Sequence, residues 1–127
     1  MPWASRLTAA AEAPNVFAKL SGLDAGPGDR WSAADLNRYI DHAVTAFGPE
    51  RLMYGSDWPV SVLGGGYVKV WREVNAATSH LAPQERARIF GGTAMEVYRL
   101  IVEPRQAPRR RGINPQIVAS LIHPDRE

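Results

Sequence analysis

Between Ser32 and Gly48 the apolar residues fall at Leu36, Tyr39, Ile40, Ala43, Val44 and Phe47, the spacing of one stripe along a helix. Ser32 followed by Asp35 has the form of a capping box, with Asp where Glu is usual. Gly48 and Pro49 stop the run. The pattern then changes period. Leu52-Met53-Tyr54 is continuously apolar and very short, as expected of a strand buried on both faces of a parallel sheet. Upstream, NVFAKLSGL at 15–23 joins β-branched and aromatic residues to a small-residue end and predicts another strand. Residues 3–13 predict an Ala-rich helix that closes before Pro14.

After the second strand, Tyr67, Val70, Trp71 and Val74 share one face of a predicted helix. Pro83 suits the first turn of the next, which runs through Ile89 and Phe90. Thr93 with Glu96 repeats the capping-box pattern and predicts a last helix over Val97, Leu100 and Ile101. Tyr67, Trp71 and Tyr98 are expected to be core aromatics. Two stretches read as loops, DAGPGDR (24–30) and GSDWPVSVLGGG (55–66), the second ending in three glycines that predict a hinge or tight turn. A glycine run before a helix can also cradle phosphate. This one lacks the Lys-Ser/Thr sequel of a phosphate loop, so the turn is the better reading.

Strand, helix, strand, then helices makes βα units in series, with parallel strands covered by helices. Two parallel strands are too few for a stable sheet, and both read as interior strands. The chain is therefore expected to be a slice of a larger α/β fold.

Composition narrows the picture. At 127 residues, 45% hydrophobic and 22% charged, the chain has the length and make-up of one globular domain. It has no cysteine, which excludes disulfides, thiolate metal ligands and a cysteine nucleophile. No apolar stretch is long enough to span a bilayer, and the first residues lack the apolar core of a secretory signal. A cytoplasmic location is expected. The net charge of +2 is unevenly placed: residues 1–102 carry ten basic and ten acidic groups, and five arginines lie from position 105 onward. Residues 103–127 thus form a basic, Pro-rich tail, expected to be an exposed, mobile linker. Ile117, Val118, Leu121 and Ile122 there could make one or two helical turns. With the excess charge confined to that tail, neither nucleic acid nor a membrane is an expected partner.

The candidate chemistry centres on Asp57, a carboxylate just past the end of a strand. Such a residue often only caps the following turn, and the residues alone leave capping and catalysis both open. Ser21 and Lys19 lie on the first strand, where a side chain more often packs or meets solvent. Trp58 could wall a substrate or simply pack. His42, His80 and His123 are expected to be surface or internally satisfied histidines.

PNVFAKLSGL, AFGPERLMYGSDWPVS and ERARIFGGTAMEVYRL, in this order and spacing, resemble the C-terminal part of the amidohydrolase-related family. The nearest branch is that of the sugar-lactone hydrolases of fuconolactonase and rhamnonolactonase type. The resemblance covers residues 3 to 101. It implies a (β/α)8 TIM barrel, of which 15–22 and 51–57 would be strands 7 and 8, incomplete as a single chain. It implies that Asp57 is the general base toward the hydrolytic water, and that Trp58 and Ser21 meet a small-molecule lactone.

In the complete family a divalent, zinc-like metal is implied, with Asp57 as a ligand only if the missing N-terminal ligands are supplied. No H-x-H pair occurs in this chain, and none of that metal is expected to bind to the chain alone. Three readings follow in order: a truncated hydrolase inactive alone; half of a split barrel completed by an upstream polypeptide; and a non-catalytic interaction module. Unpaired strand edges also predict self-association.

Overall fold

A computed structural model of the chain describes residues 2–23 and 30–101. The loop at 24–29, the tail at 103–127 with its apolar patch, and His123 lie outside the described residues. The elements run α1 (Pro2–Ala11), β1 (Ala18–Leu20), α2 (Ala33–Phe47), a 3-10 turn (Pro49–Arg51), β2 (Leu52–Tyr54) and a second 3-10 turn (Val60–Gly64). There follow α3 (Tyr67–Ala77), α4 (Pro83–Ala87), a π turn (Arg88–Gly92) and α5 (Thr93–Val97). β1 and β2 are parallel, with Ala18 opposite Leu52, Lys19 opposite Met53 and Leu20 opposite Tyr54. The predicted strand at 15–23 is ordered as a ladder only where it has a partner. Its pairing ends with the Gly55 N–H donating to the Leu20 carbonyl at 3.1 Å.

α2 forms as its stripe predicts. Leu36, Ile40, Ala43 and Phe47 are buried, and they pack with Leu20, Leu52, Val70, Val74 and Ile89 in one apolar cluster. Burying each side chain of this size contributes about 1.5–3 kcal/mol. At the start of α2 the Asp35 carboxylate accepts from both the N–H (2.9 Å) and the hydroxyl (3.0 Å) of Ser32. Glu73, reaching from α3, accepts the Ala33 N–H at 2.9 Å. The far end is closed by Arg51, which donates to Phe47 O at 3.1 Å and to Ala11 O and Ala13 O at 2.9 and 3.0 Å. One guanidinium thus satisfies carbonyls at the C-terminal ends of two helices.

Several expectations need correction. Thr93 is no cap. It sits inside a helical path, fully buried, and its hydroxyl is within bonding distance of Pro49 O (3.2 Å) and Glu50 O (3.3 Å). Glu96 instead pairs with Arg88 at 2.7 Å. The last helix also ends early: Arg99 takes a left-handed φ of 51°, and Leu100 N–H returns to Met95 O at 2.9 Å. That closure ejects Leu100 and Ile101 from the helix, leaving Ile101 93% exposed. Tyr67, Trp71 and Tyr98 are about half exposed and not core, whereas Val70 and Val74 carry the buried face of α3. His42 is internally satisfied, as expected, with its Nε2 3.0 Å from Ala4 O and 3.1 Å from Thr8 Oγ1. Among the described residues no helix is long and apolar enough to cross a membrane.

Candidate active site at the strand ends

Side chains alternate along a strand, so the two faces of the pair differ. Ala18, Leu20, Leu52 and Tyr54 belong to the helix-facing apolar cluster. Lys19, Ser21, Met53 and Gly55 take the other face. Met53 is buried there, outside that cluster, and the Lys19 ammonium lies 5.7 Å from the centre of the Tyr98 ring. A Cβ built on Gly55 would lie 3.0 Å from Ser21 Cβ, so a larger residue there would have to push Ser21 aside. One step further, a Cβ on Gly22 would lie 3.7 Å from Asp57 Oδ2. The rim therefore brings Ser21 and Gly22 from one strand against Gly55 and Asp57 from the other.

Asp57 is half-buried and holds a left-handed backbone, φ 54°. Asp tolerates that region better than most residues but still at a cost. The loop after it is tied down bond by bond. Ser61 N–H donates to Asp57 O (2.9 Å), and Gly66 N–H donates to Ser61 O (2.8 Å). The indole N–H of Trp31 donates to Gly64 O at 2.8 Å. The Lys69 ammonium sits 4.7 Å from the Trp31 ring centre. Gly65 and Gly66 adopt φ of 107° and 87°, which makes the glycine run a tight turn leading into α3. Trp58 projects outward, 64% exposed, and its bond to Pro59 is cis.

Of the residues singled out in the sequence, Asp57 and Ser21 converge on the rim. Lys19 lies one alternation below, and Trp58 stands outside it. Sequence reasoning missed Trp31, Ser61, Gly22 and Gly55. Trp31, placed just before the Ser32 cap, carried a faint signal; Ser61 carried none. Ser61 is fully buried, and its hydroxyl has no partner among the described residues. The Tyr54 hydroxyl is likewise buried without a partner, and burial pushes its pKa up, with Tyr67 adding a smaller push. It lies on the helix side, where the Trp71 and Phe90 rings stand 5.4 and 5.5 Å away.

Chemically, the rim offers one carboxylate, one hydroxyl and an ammonium below them. A protein metal site takes three or four ligands of suitable type. No group of three or more His, Asp or Glu side chains among the described residues could hold a metal ion. The donors present do not by themselves fit one.

The sequence profile of the amidohydrolase family matches residues 1–100. The L-fucono-1,5-lactonase of Burkholderia multivorans is 42% identical over 111 residues, covering 83% of this chain and 37% of that protein. The L-fucono-1,5-lactonase of Burkholderia ambifaria is 38% identical over 103 residues, covering 77% of this chain and 35% of that protein. A crystal structure of a Burkholderia multivorans amidohydrolase with bound zinc superposes with a TM-score of 0.69 at 39% identity. It is matched over 78% of this chain and 37% of its own. The chain thus spans little more than a third of the length of these relatives, and over that span it belongs to the amidohydrolase family.

Proposed function

We propose that this chain carries strands 7 and 8 of a lactone-opening (β/α)8 hydrolase, with Asp57 as its general base. The observation that supports the reading most is the placement of Asp57. It stands at the carboxyl end of a parallel strand, where barrels of this kind keep their chemistry, in a backbone conformation of the sort that active sites retain despite its cost.

In this reading the Asp57 carboxylate takes a proton from water as the water oxygen attacks the lactone carbonyl. The ring C–O bond then breaks, and the proton passes to the departing ring oxygen. One water is consumed, and one hydroxy acid is formed. Ser21, on the neighbouring strand, meets the substrate, and Trp58 forms an outer wall.

The test is a chimera in which residues 1–101 replace the matching segment of the Burkholderia multivorans lactonase. Lactone opening by the chimera, falling about 100-fold or more in Asp57→Asn, is expected for loss of a general base. A chimera that folds and turns over equally well with Asn at position 57 would sink the assignment.

A further inference from the structure

A non-glycine residue keeps a left-handed backbone only while its surroundings leave it no alternative. Asp57, with φ 54°, is such a residue, and what fixes it is the loop behind it. Inside that loop the bonds form a relay. Ser61 N–H donates to Asp57 O at 2.9 Å, Gly66 N–H donates to Ser61 O at 2.8 Å, and Val70 N–H donates to Gly66 O at 3.1 Å. The relay thus runs from the residue that bears the carboxylate into the first turn of α3. Its middle member, Ser61, is fully buried. These bonds give the loop its shape, but they do not tie it to the segment that follows β1.

That tie comes from Trp31, whose indole N–H donates to Gly64 O at 2.8 Å. Among the described residues this is the one side-chain hydrogen bond that reaches the 56–66 loop from outside it. Gly64 ends the 3-10 turn that begins at Val60. Holding its carbonyl holds the turn that presents Ser61 N–H to Asp57. Trp31 is itself held. The Lys69 ammonium stands 4.7 Å from its ring centre, and two residues on, Ala33 N–H donates to Glu73 Oε2 at 2.9 Å. Lys69 and Glu73 are four apart on α3 and so share one side of that helix. Residues 31–33 therefore meet α3 at two points and the turn before it at a third. An indole nitrogen can only donate, and the ring turns about two torsions alone, so the contact is a stiff one.

We infer that Trp31 is a positioning residue for Asp57, acting through Gly64 and Ser61 on the backbone that aims the carboxylate. This rests on the reading of Asp57 as the general base, and it adds the residue that keeps the base in place. A misplacement of about 1 Å in reacting groups can cost about 100-fold in rate, which gives a side chain outside the rim its influence.

Trp31→Phe keeps an aromatic ring and removes the N–H. In the full 127-residue chain, amide hydrogen exchange followed by NMR is expected to quicken about tenfold or more at Ser61 and Gly66, with Ile40 and Val74 in the core unchanged. In the unsubstituted chain the Trp31 indole proton is expected to exchange about tenfold more slowly than that of Trp58, which is 64% exposed. In the lactonase chimera, Trp31→Phe is expected to lower kcat about tenfold or more and to leave KM within about twofold. Combined with Asp57→Asn it is expected to lower kcat no further, because both changes act at one carboxylate.

Unchanged exchange at Ser61 and Gly66, or a rise shared by the core amides, would overturn the inference. So would an unprotected Trp31 indole, a measurement that needs no variant to fold. A further loss of kcat in the double variant, or a change in KM alone, would show that Trp31 does not act through Asp57. A chimera indifferent to Asp57→Asn would count against the general base, and the exchange rates would still decide whether Trp31 holds this loop.

Discussion

Asp57 and Arg99 share a left-handed backbone, φ 54° and 51°, but only one of them stands at the rim. For an L-residue that region costs roughly 1–2 kcal/mol, less for Asp, and glycine escapes the cost. Asp57→Gly is therefore expected to raise the unfolding free energy by about 1 kcal/mol, while Asp57→Ala lowers it. Urea midpoints of the two variants against the unsubstituted chain check the order. A gain in stability with glycine alone would mark a left-handed backbone that Asp57 holds at the expense of the fold. The type of residue at 57 was legible in the sequence. Its conformation was not, because a non-glycine at positive φ leaves no compositional trace. Thr93 misled for a related reason: a threonine followed by Glu three residues later is what a cap looks like, and only tertiary structure supplies the Pro49 and Glu50 carbonyls that claim the hydroxyl instead.

The best-read element is α2, because its period, its cap and its stop all agree. What remained hidden was that a second carboxylate, Glu73, reaches across from α3 to the same helix start. The Arg72 guanidinium beside Glu73, with help from the Ala33 N–H, holds its carboxyl below the usual range. The Ser32 N–H and hydroxyl do the same for Asp35. A lowered folded pKa means that the unfolded chain takes up its protons first as the pH falls. The stabilisation by these two groups is thus complete above the ordinary carboxylate pKa of about 4, and it drains away as acid reaches their lower folded values. Melting temperatures are expected to fall from pH 5 toward pH 3, with a shallower fall in Glu73→Gln. Equal slopes in the two proteins would show that the contact across the helices contributes nothing. The end of the last helix was misjudged in the sequence, because the usual glycine stop is replaced by Arg99 and the apolar pattern runs on past it.

At the scale of the whole molecule, the helix layer is packed on one side of a sheet that has two strands among the described residues. Large apolar side chains remain outside, among them Leu63 (80% exposed) and Val68 (74%). That the two strands run parallel was legible from the order of the elements. Which aromatics would be exposed was not, since Tyr67, Trp71 and Tyr98 keep helical spacing whether or not anything covers them. With one rim carboxylate and no clustered ligands among the described residues, the chain purified alone is expected to open L-fucono-1,5-lactone no faster than its Asp57→Asn variant. Proton release in weakly buffered solution measures this. A general base contributes about 100-fold to 10,000-fold only when its water and substrate are held in place.

The contact between Gly55 and Ser21 has one more consequence, for how such a mouth can be retuned. With 3.0 Å between the Ser21 side chain and the point where any side chain at 55 would start, β2 has little room to vary its bulk at that level. Variation at this height is therefore left to β1, through what stands at position 21, while the facing position stays bare.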